Sequence, residues 1–148
     1  MASAIKLLEL MAGIDVIAVS DIYLSDPVGE ELNGYFLNVT VCIETELGLF
    51  EVERGILRIE EMLGKINNSA SRDRTIDIDI IFADDLAGQF NDLTIPHPLY
   101  SQRDFVLLPL MDISQTLAPS RLEEVKRHLN RGKESNSPLC IRYKSMVY

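Results

Sequence analysis

The stretch TIDIDIIF, residues 75–82, alternates branched apolar residues with aspartate at a period of two, the signature of an extended strand. In that conformation Ile76, Ile78 and Ile80 share one face, and Asp77 and Asp79 share the other with Cα atoms about 7 Å apart. Two carboxylates that close, with no cation on their own face, repel each other, and a divalent cation relieves the repulsion. Mg²⁺ in particular takes one or two protein carboxylates and fills its octahedron with water and substrate phosphates. A half-solvated strand with its polar residues outward reads the same way, so the pair alone leaves both readings open.

The neighbouring sequence adds chemistry to the acids. Arg72 and Arg74 lie just upstream, where guanidinium forks could hold phosphate oxygens or simply neutralise Asp73 and the strand acids. Downstream, TIPHP sets His97 between two prolines that restrict the backbone, although a lone histidine is more often structural than functional. SQRDF then places Arg103 two residues before Phe105, a cation for phosphate and an aromatic for a flat ring, each of which could also be surface and core.

Charge limits the partners. The net charge is -9, and residues 1–53 hold ten acidic residues against the single cation Lys6. Such a chain is a poor nonspecific binder of nucleic-acid phosphates, so an anionic ligand needs a local basic cluster; Lys65, Arg72, Arg74 and Arg103 are the candidates. The 148 residues, 47% hydrophobic and 25% charged, fit a single domain over 1–148. No apolar run approaches the roughly 20 residues of a membrane span, and MASAIKLLELMAG lacks the cationic start and cleavage site of a signal peptide. A cytoplasmic protein with no membrane or nucleic-acid partner is expected. Cys42 and Cys140 form no metal-type pair and read as reduced thiols.

Along the chain, Ile5, Leu8 and Met11 mark one face of a first helix stopped at Gly13. Residues 14–23 read as a strand, 25–34 as a loop with Pro27, Gly29 and Gly34, and YFLNVTVCIETE as a second strand with Leu37, Val39, Val41 and Ile43 on one face. A helix follows with Phe50, Ile56, Ile59 and Leu63 facing the core, then the polar loop KINNSASRDR. After the TIDIDIIF strand come a short connection, a helix over FVLLPLMDIS bent or started by Pro109, and an amphipathic helix whose Ser120 and Glu123 have capping-box spacing. The tail SPLCIRYKSMVY has strand composition. The order predicts an α+β fold with helices packed on an antiparallel sheet.

RDRTIDIDIIF followed by LTIPHPLYSQRDFVLLPLMDI resembles the signature region of the 6-hydroxymethyl-7,8-dihydropterin pyrophosphokinase family, with its R-T-(L/I)-D-(L/I)-D strand, L-x-(V/I)-P-H segment and R-x-F-(V/M)-L-x-P-L helix in order. SDIYLSDPVGEELNGYFLN and RIEEMLG resemble the family's S-x-x-Y-x-(T/S)-x-P-x-G…(Y/F)-L-N stretch and its R-I-E helix end. The resemblance implies a ferredoxin-like βαββαβ-type sheet and Mg²⁺-dependent transfer of pyrophosphate from ATP to a hydroxymethyl-dihydropterin, releasing AMP. It implies two Mg²⁺ ions on Asp77 and Asp79, with Arg74, His97 and Arg103 on the triphosphate and Lys65 as a further catalytic cation. Leu93, Thr94 and the backbone of Ile80 would line the adenosine. Asn38 would bond the pterin's amide edge, helped by the backbone of Ser25, Asp26 and Val28, with Phe36 and Phe105 sandwiching the ring. Residues 65–73 would form a loop closing over the site.

The resemblance starts at the family's first helix, without the preceding strand and Gly-Ser-Asn turn. Three readings fit this: a truncated sequence, a strand from the tail LCIRYKSMVY filling the gap within one chain or between two in a homodimer, or a degenerate protein. In the 65–73 loop Lys65 stands for one family arginine and Asn67 for another. A second function follows from these departures: a catalytically impaired or inactive relative acting as a binding or scaffold protein. A third, an RNA-recognition module on the same sheet, needs a basic face with exposed strand aromatics, which the acidic balance disfavours.

Overall fold

The computed structural model describes residues 1–26, 34–64, 76–132 and 140–144. Its elements run α1 (Ala2–Glu9), β1 (Ile14–Val19), β2 (Ile22–Ser25), β3 (Phe36–Asn38), β4 (Val41–Thr45), α2 (Leu49–Met62), β5 (Gly88–Phe90), β6 (Leu93–Ile95), α3 (Asp104–Asp112), α4 (Pro119–Gly132) and β7 (Cys140–Lys144). Short 3-10 turns cover Tyr100–Gln102 and Ser114–Thr116. The chain is α+β, as expected, but its described strands form three small sheets: β1 with β4, β3-β2-β7, and β5 with β6. The chain clusters into two compact units, the first holding Met1–Val16 and Ile43–His97, the second Ile17–Cys42 and Pro98–Tyr148.

In the first unit α1 lays Ala4, Ile5 and Leu8 inward, and Gly13 closes the segment at a φ of +82° that favours glycine. Its core joins Ala4 and Leu8 to Val52, Ile56 and Ile59 of α2, with Met11, Ile43, Leu63, Ile76, Ile78 and Ile80 packed around them. Gly55 of α2 lies directly under the Met11 side chain: a Cβ there would lie 2.1 Å from Met11 Cε, so a larger residue would require the flexible thioether end to move. Phe50, expected in this core, is 42% exposed, and Val52 takes its place. At 100° per residue Phe50 projects about 160° away from Val52, so both cannot face the same side. The TIDIDIIF stretch was expected as a strand. Over residues 76–83 no strand is assigned, yet exposure alternates through residue 80 as the period requires: Ile76, Ile78 and Ile80 are half-buried and Asp77 and Asp79 exposed.

In the second unit α3 packs on β2 and β3, and α4 packs on α3. Tyr23, Tyr100, Leu107, Leu110, Ile113 and Val125 are its buried apolar residues. Neither long strand expected from the sequence is continuous. The breaks fall at Ser20 and Thr40, where Ser20 N–H donates to the Thr40 carbonyl at 2.9 Å and the Ser20 hydroxyl accepts the Thr40 N–H at 2.9 Å. That fully buried hydroxyl also donates to the Asp21 carbonyl, so it turns the chain rather than continuing a ladder. Leu37 is 48% exposed, whereas Val41 and Ile43, expected on the same face, are half-buried. Pro109 neither starts α3 nor ends it, but lies buried inside it. Helix α4 begins at Pro119, so Ser120 is inside the first turn rather than at the cap, and Glu123 pairs with Lys126 at 2.8 Å. Proline's fixed φ suits the first helical position, which moves the start two residues ahead of the Arg121 start that the capping-box reading implies.

The tail strand β7 pairs antiparallel with β2, setting Cys140 opposite Ser25 and Arg142 opposite Tyr23. Arg142 bonds Asp112 at 2.6 Å and Asp21 at 2.9 Å, and Asp112 also accepts from the Tyr23 hydroxyl at 3.0 Å and the Asp21 N–H at 3.1 Å. Burial, aided by the negative charge of Asp104, pushes the Cys140 thiol up to about 11. In a Cys42→Ser protein, labelling of Cys140 by a neutral disulfide reagent is therefore expected to accelerate about tenfold per pH unit from about pH 8 up to about pH 11. A plateau near pH 9 would show an ordinary thiol.

Candidate active site

The two aspartates gain their placement from the residues between them. Ile76, Ile78 and Ile80 are anchored against the α1–α2 core, so the alternate positions, Asp77 and Asp79, are held outward on one side. Asp79 Oδ2 lies 3.9 Å from His97 Nε2, with the aspartate side chain 46% and the histidine 21% exposed. His97 reaches that position through the β5–β6 hairpin, in which Phe90 pairs with Leu93 and Gly88 with Ile95. Asn91 makes the turn with φ of +53°, a conformation asparagine tolerates better than most residues. Ile95 is buried, and the His97 N–H donates to the Ile81 carbonyl at 3.0 Å, which ties the histidine to the segment carrying the acids. The hairpin was read from sequence only as a connection; three-residue strands are too short to display a period.

Leu93 is half-buried and Thr94 exposed on β6, and Ile80 ends the acid-bearing run. Among the described residues no group of three or more His, Cys, Asp and Glu side chains stands in ligating arrangement. An exposed carboxylate pair of this kind suits Mg²⁺ completed by water and phosphate oxygens, whereas a closed zinc site requires four protein ligands.

The second unit carries the other expected residues. Asn38, at the end of β3, donates from Nδ2 to Ser25 Oγ at 2.9 Å, and Ser25 is buried on β2. The register sets Phe36 opposite Ser25 and Asn38 opposite Tyr23, so Phe36 and Asn38 share a sheet face. Phe36 is 42% exposed, and Asp26 follows directly after β2. Phe105 lies in the first turn of α3, with the Arg103 guanidinium 5.7 Å from its ring centre. Because α3 packs on β3 as well as β2, the elements bearing Phe36 and Phe105 are neighbours in this unit. Lys65, Arg72, Arg74, Val28 and the loop 65–73 lie outside the described residues. Glu60 was passed over in the sequence, although its spacing from Val52, Ile56 and Ile59 puts it on the buried face of α2; an acid on such a face was the available signal.

Across residues 1–115 the chain matches the sequence pattern of the 7,8-dihydro-6-hydroxymethylpterin-pyrophosphokinase (HPPK) family. The chain belongs to that family. It is 39% identical over 112 residues to the 2-amino-4-hydroxy-6-hydroxymethyldihydropteridine pyrophosphokinase of Bacillus subtilis, an alignment covering 76% of this chain and 67% of the relative. The enzyme of the same name from Methylorubrum extorquens is 37% identical, over 79% of this chain and 74% of its own length. The folic acid synthesis protein fol1 of Schizosaccharomyces pombe is 34% identical over 78% of this chain, which spans only 16% of that longer protein. No helix among the described residues is long and apolar enough to cross a membrane.

Proposed function

We propose that this chain transfers a pyrophosphoryl group from ATP to 6-hydroxymethyl-7,8-dihydropterin in folate biosynthesis. The pterin hydroxymethyl oxygen gives up its proton to solvent and forms a bond to the β-phosphorus, the bond from that phosphorus to the α–β bridging oxygen breaks, and AMP leaves with the bridging oxygen. The observation that carries the reading is the outward Asp77–Asp79 pair, anchored by core isoleucines and flanked by His97, in a chain of the pyrophosphokinase family.

Asp77 and Asp79 would hold two Mg²⁺ ions; bound there, the metal supplies positive charge that offsets the triphosphate's and steadies its oxygens. His97, Arg103 and Arg74 bind the triphosphate, Lys65 adds a point charge, and Leu93, Thr94 and the Ile80 backbone take the adenosine. Asn38 fixes the pterin's amide edge, with Ser25, Asp26 and Val28 contributing backbone, while Phe36 and Phe105 take the ring faces. Positioning and electrostatics account for most of the acceleration in such chemistry. Both units belong to one pyrophosphokinase-like domain over 1–148, with residues 76–80 serving as a strand of a ferredoxin-like sheet, in a cytoplasmic protein that can form a homodimer. The alternating exposure of residues 76–80 supports that strand assignment.

AMP release with ATP, Mg²⁺ and the hydroxymethyl-dihydropterin tests the proposal directly; pterin binding without AMP release would favour an inactive binding relative. Asn38→Ala is expected to raise the KM for the pterin at least about tenfold, because the amide edge loses a polar partner in the pocket, and to leave the KM for ATP within about threefold. An unchanged pterin KM would remove Asn38 from the site.

A further inference from the structure

Glu60 is 1% exposed on the buried face of α2, among Val52, Ile56 and Ile59, and its Oε1 accepts the Ile78 N–H at 2.8 Å. A carboxylate in such a setting is costly unless it makes charge-assisted bonds, which are shorter and roughly twice as strong as neutral ones. The amide it binds sits between Asp77 and Asp79, in a run where no strand is assigned. We infer that Glu60 is a positioning residue for the aspartate pair. Its carboxylate clamps the Ile78 amide to α2, which sets the height of the backbone from which both aspartates project. This rests on the reading of Asp77 and Asp79 as Mg²⁺ ligands, and it assigns a task to the first of the two glutamates of the RIEEMLG segment. The isoleucines alone fix which face each residue takes. They leave the segment free to shift along the core, since apolar contact is non-directional, and a hydrogen bond at one amide removes that freedom.

The test compares Glu60→Leu, which fills the volume and removes the acceptor, with Glu60→Gln, which keeps an acceptor oxygen. Amide exchange at Ile78 in the metal-free protein is expected to quicken at least about tenfold in Glu60→Leu relative to the α1–α2 core amides, and by less in Glu60→Gln. Binding of Mn²⁺ with a non-hydrolysable ATP analogue, followed by electron paramagnetic resonance, should weaken at least about tenfold in Glu60→Leu and stay within about threefold in Glu60→Gln. Exchange that rises equally across the whole unit, or unchanged Mn²⁺ affinity in Glu60→Leu, would overturn the inference. If Glu60→Leu does not fold, the glutamine protein decides: a tenfold loss of Mn²⁺ affinity there overturns the inference, and retention supports it. Neither readout needs turnover, so a wild type that releases no AMP would defeat the proposed activity and leave this inference standing on its own measurements.

Discussion

Asp79→Ala is expected to lower Mg²⁺-dependent AMP release at least about a hundredfold, equivalent to about 3 kcal/mol of transition-state stabilisation. The aspartate is one of only two carboxylates assigned to the metal, so removing it leaves Mg²⁺ with one protein ligand against a highly charged triphosphate. The side chain is 46% exposed, and alanine there opens no cavity, so the folded protein should keep its thermal midpoint. Loss of activity with an unchanged melt is therefore the expected pair of results. A metal role for Asp79, as opposed to mere pairing with His97 3.9 Å away, requires that raising Mg²⁺ partly restores the Asp79→Ala protein. Equal AMP release from wild type and Asp79→Ala would end the metal assignment.

The largest stability effect should come from the second unit. Leu107 is 1% exposed on α3, whose partner α4 turns in a fully buried Val125. Leu107→Ala is expected to cost about 3 kcal/mol, from lost transfer free energy and from the cavity left between helices that relax only in part. For a chain of this size that lowers the thermal midpoint by about 10 °C, measurable by circular dichroism at 222 nm. A shift under about 2 °C would mean that the α3–α4 contact is not packed as described. Leu37→Ala offers the contrast: 48% exposed on β3, it should cost under about 1 kcal/mol.

Much of the site could be read from the chain before any fold. Period-two alternation in TIDIDIIF was enough to sort Ile76, Ile78 and Ile80 from Asp77 and Asp79, and the structure keeps that sorting even where no strand is assigned. The helical faces were legible wherever spacing was clean, as for Ile5 and Leu8 or Ile56 and Ile59, and failed where composition was read in place of angle, as for Phe50. Short elements were not legible. The β5–β6 hairpin that delivers His97 has three residues in each strand, too few for a pattern.

What the sequence determined by itself is therefore local: which residues of a periodic stretch share a face. Tertiary structure alone decided the non-local matters. It placed the Ser20–Thr40 corner that splits two apparent strands, joined β7 to β2 through Arg142 and Asp112, and turned Glu60 onto the Ile78 amide. The physical reason is the same in each case. Side-chain direction follows from backbone periodicity within a few residues, whereas the partner of a buried hydroxyl, guanidinium or carboxylate is whatever polar group the packed chain brings to it, and a buried polar group must find one.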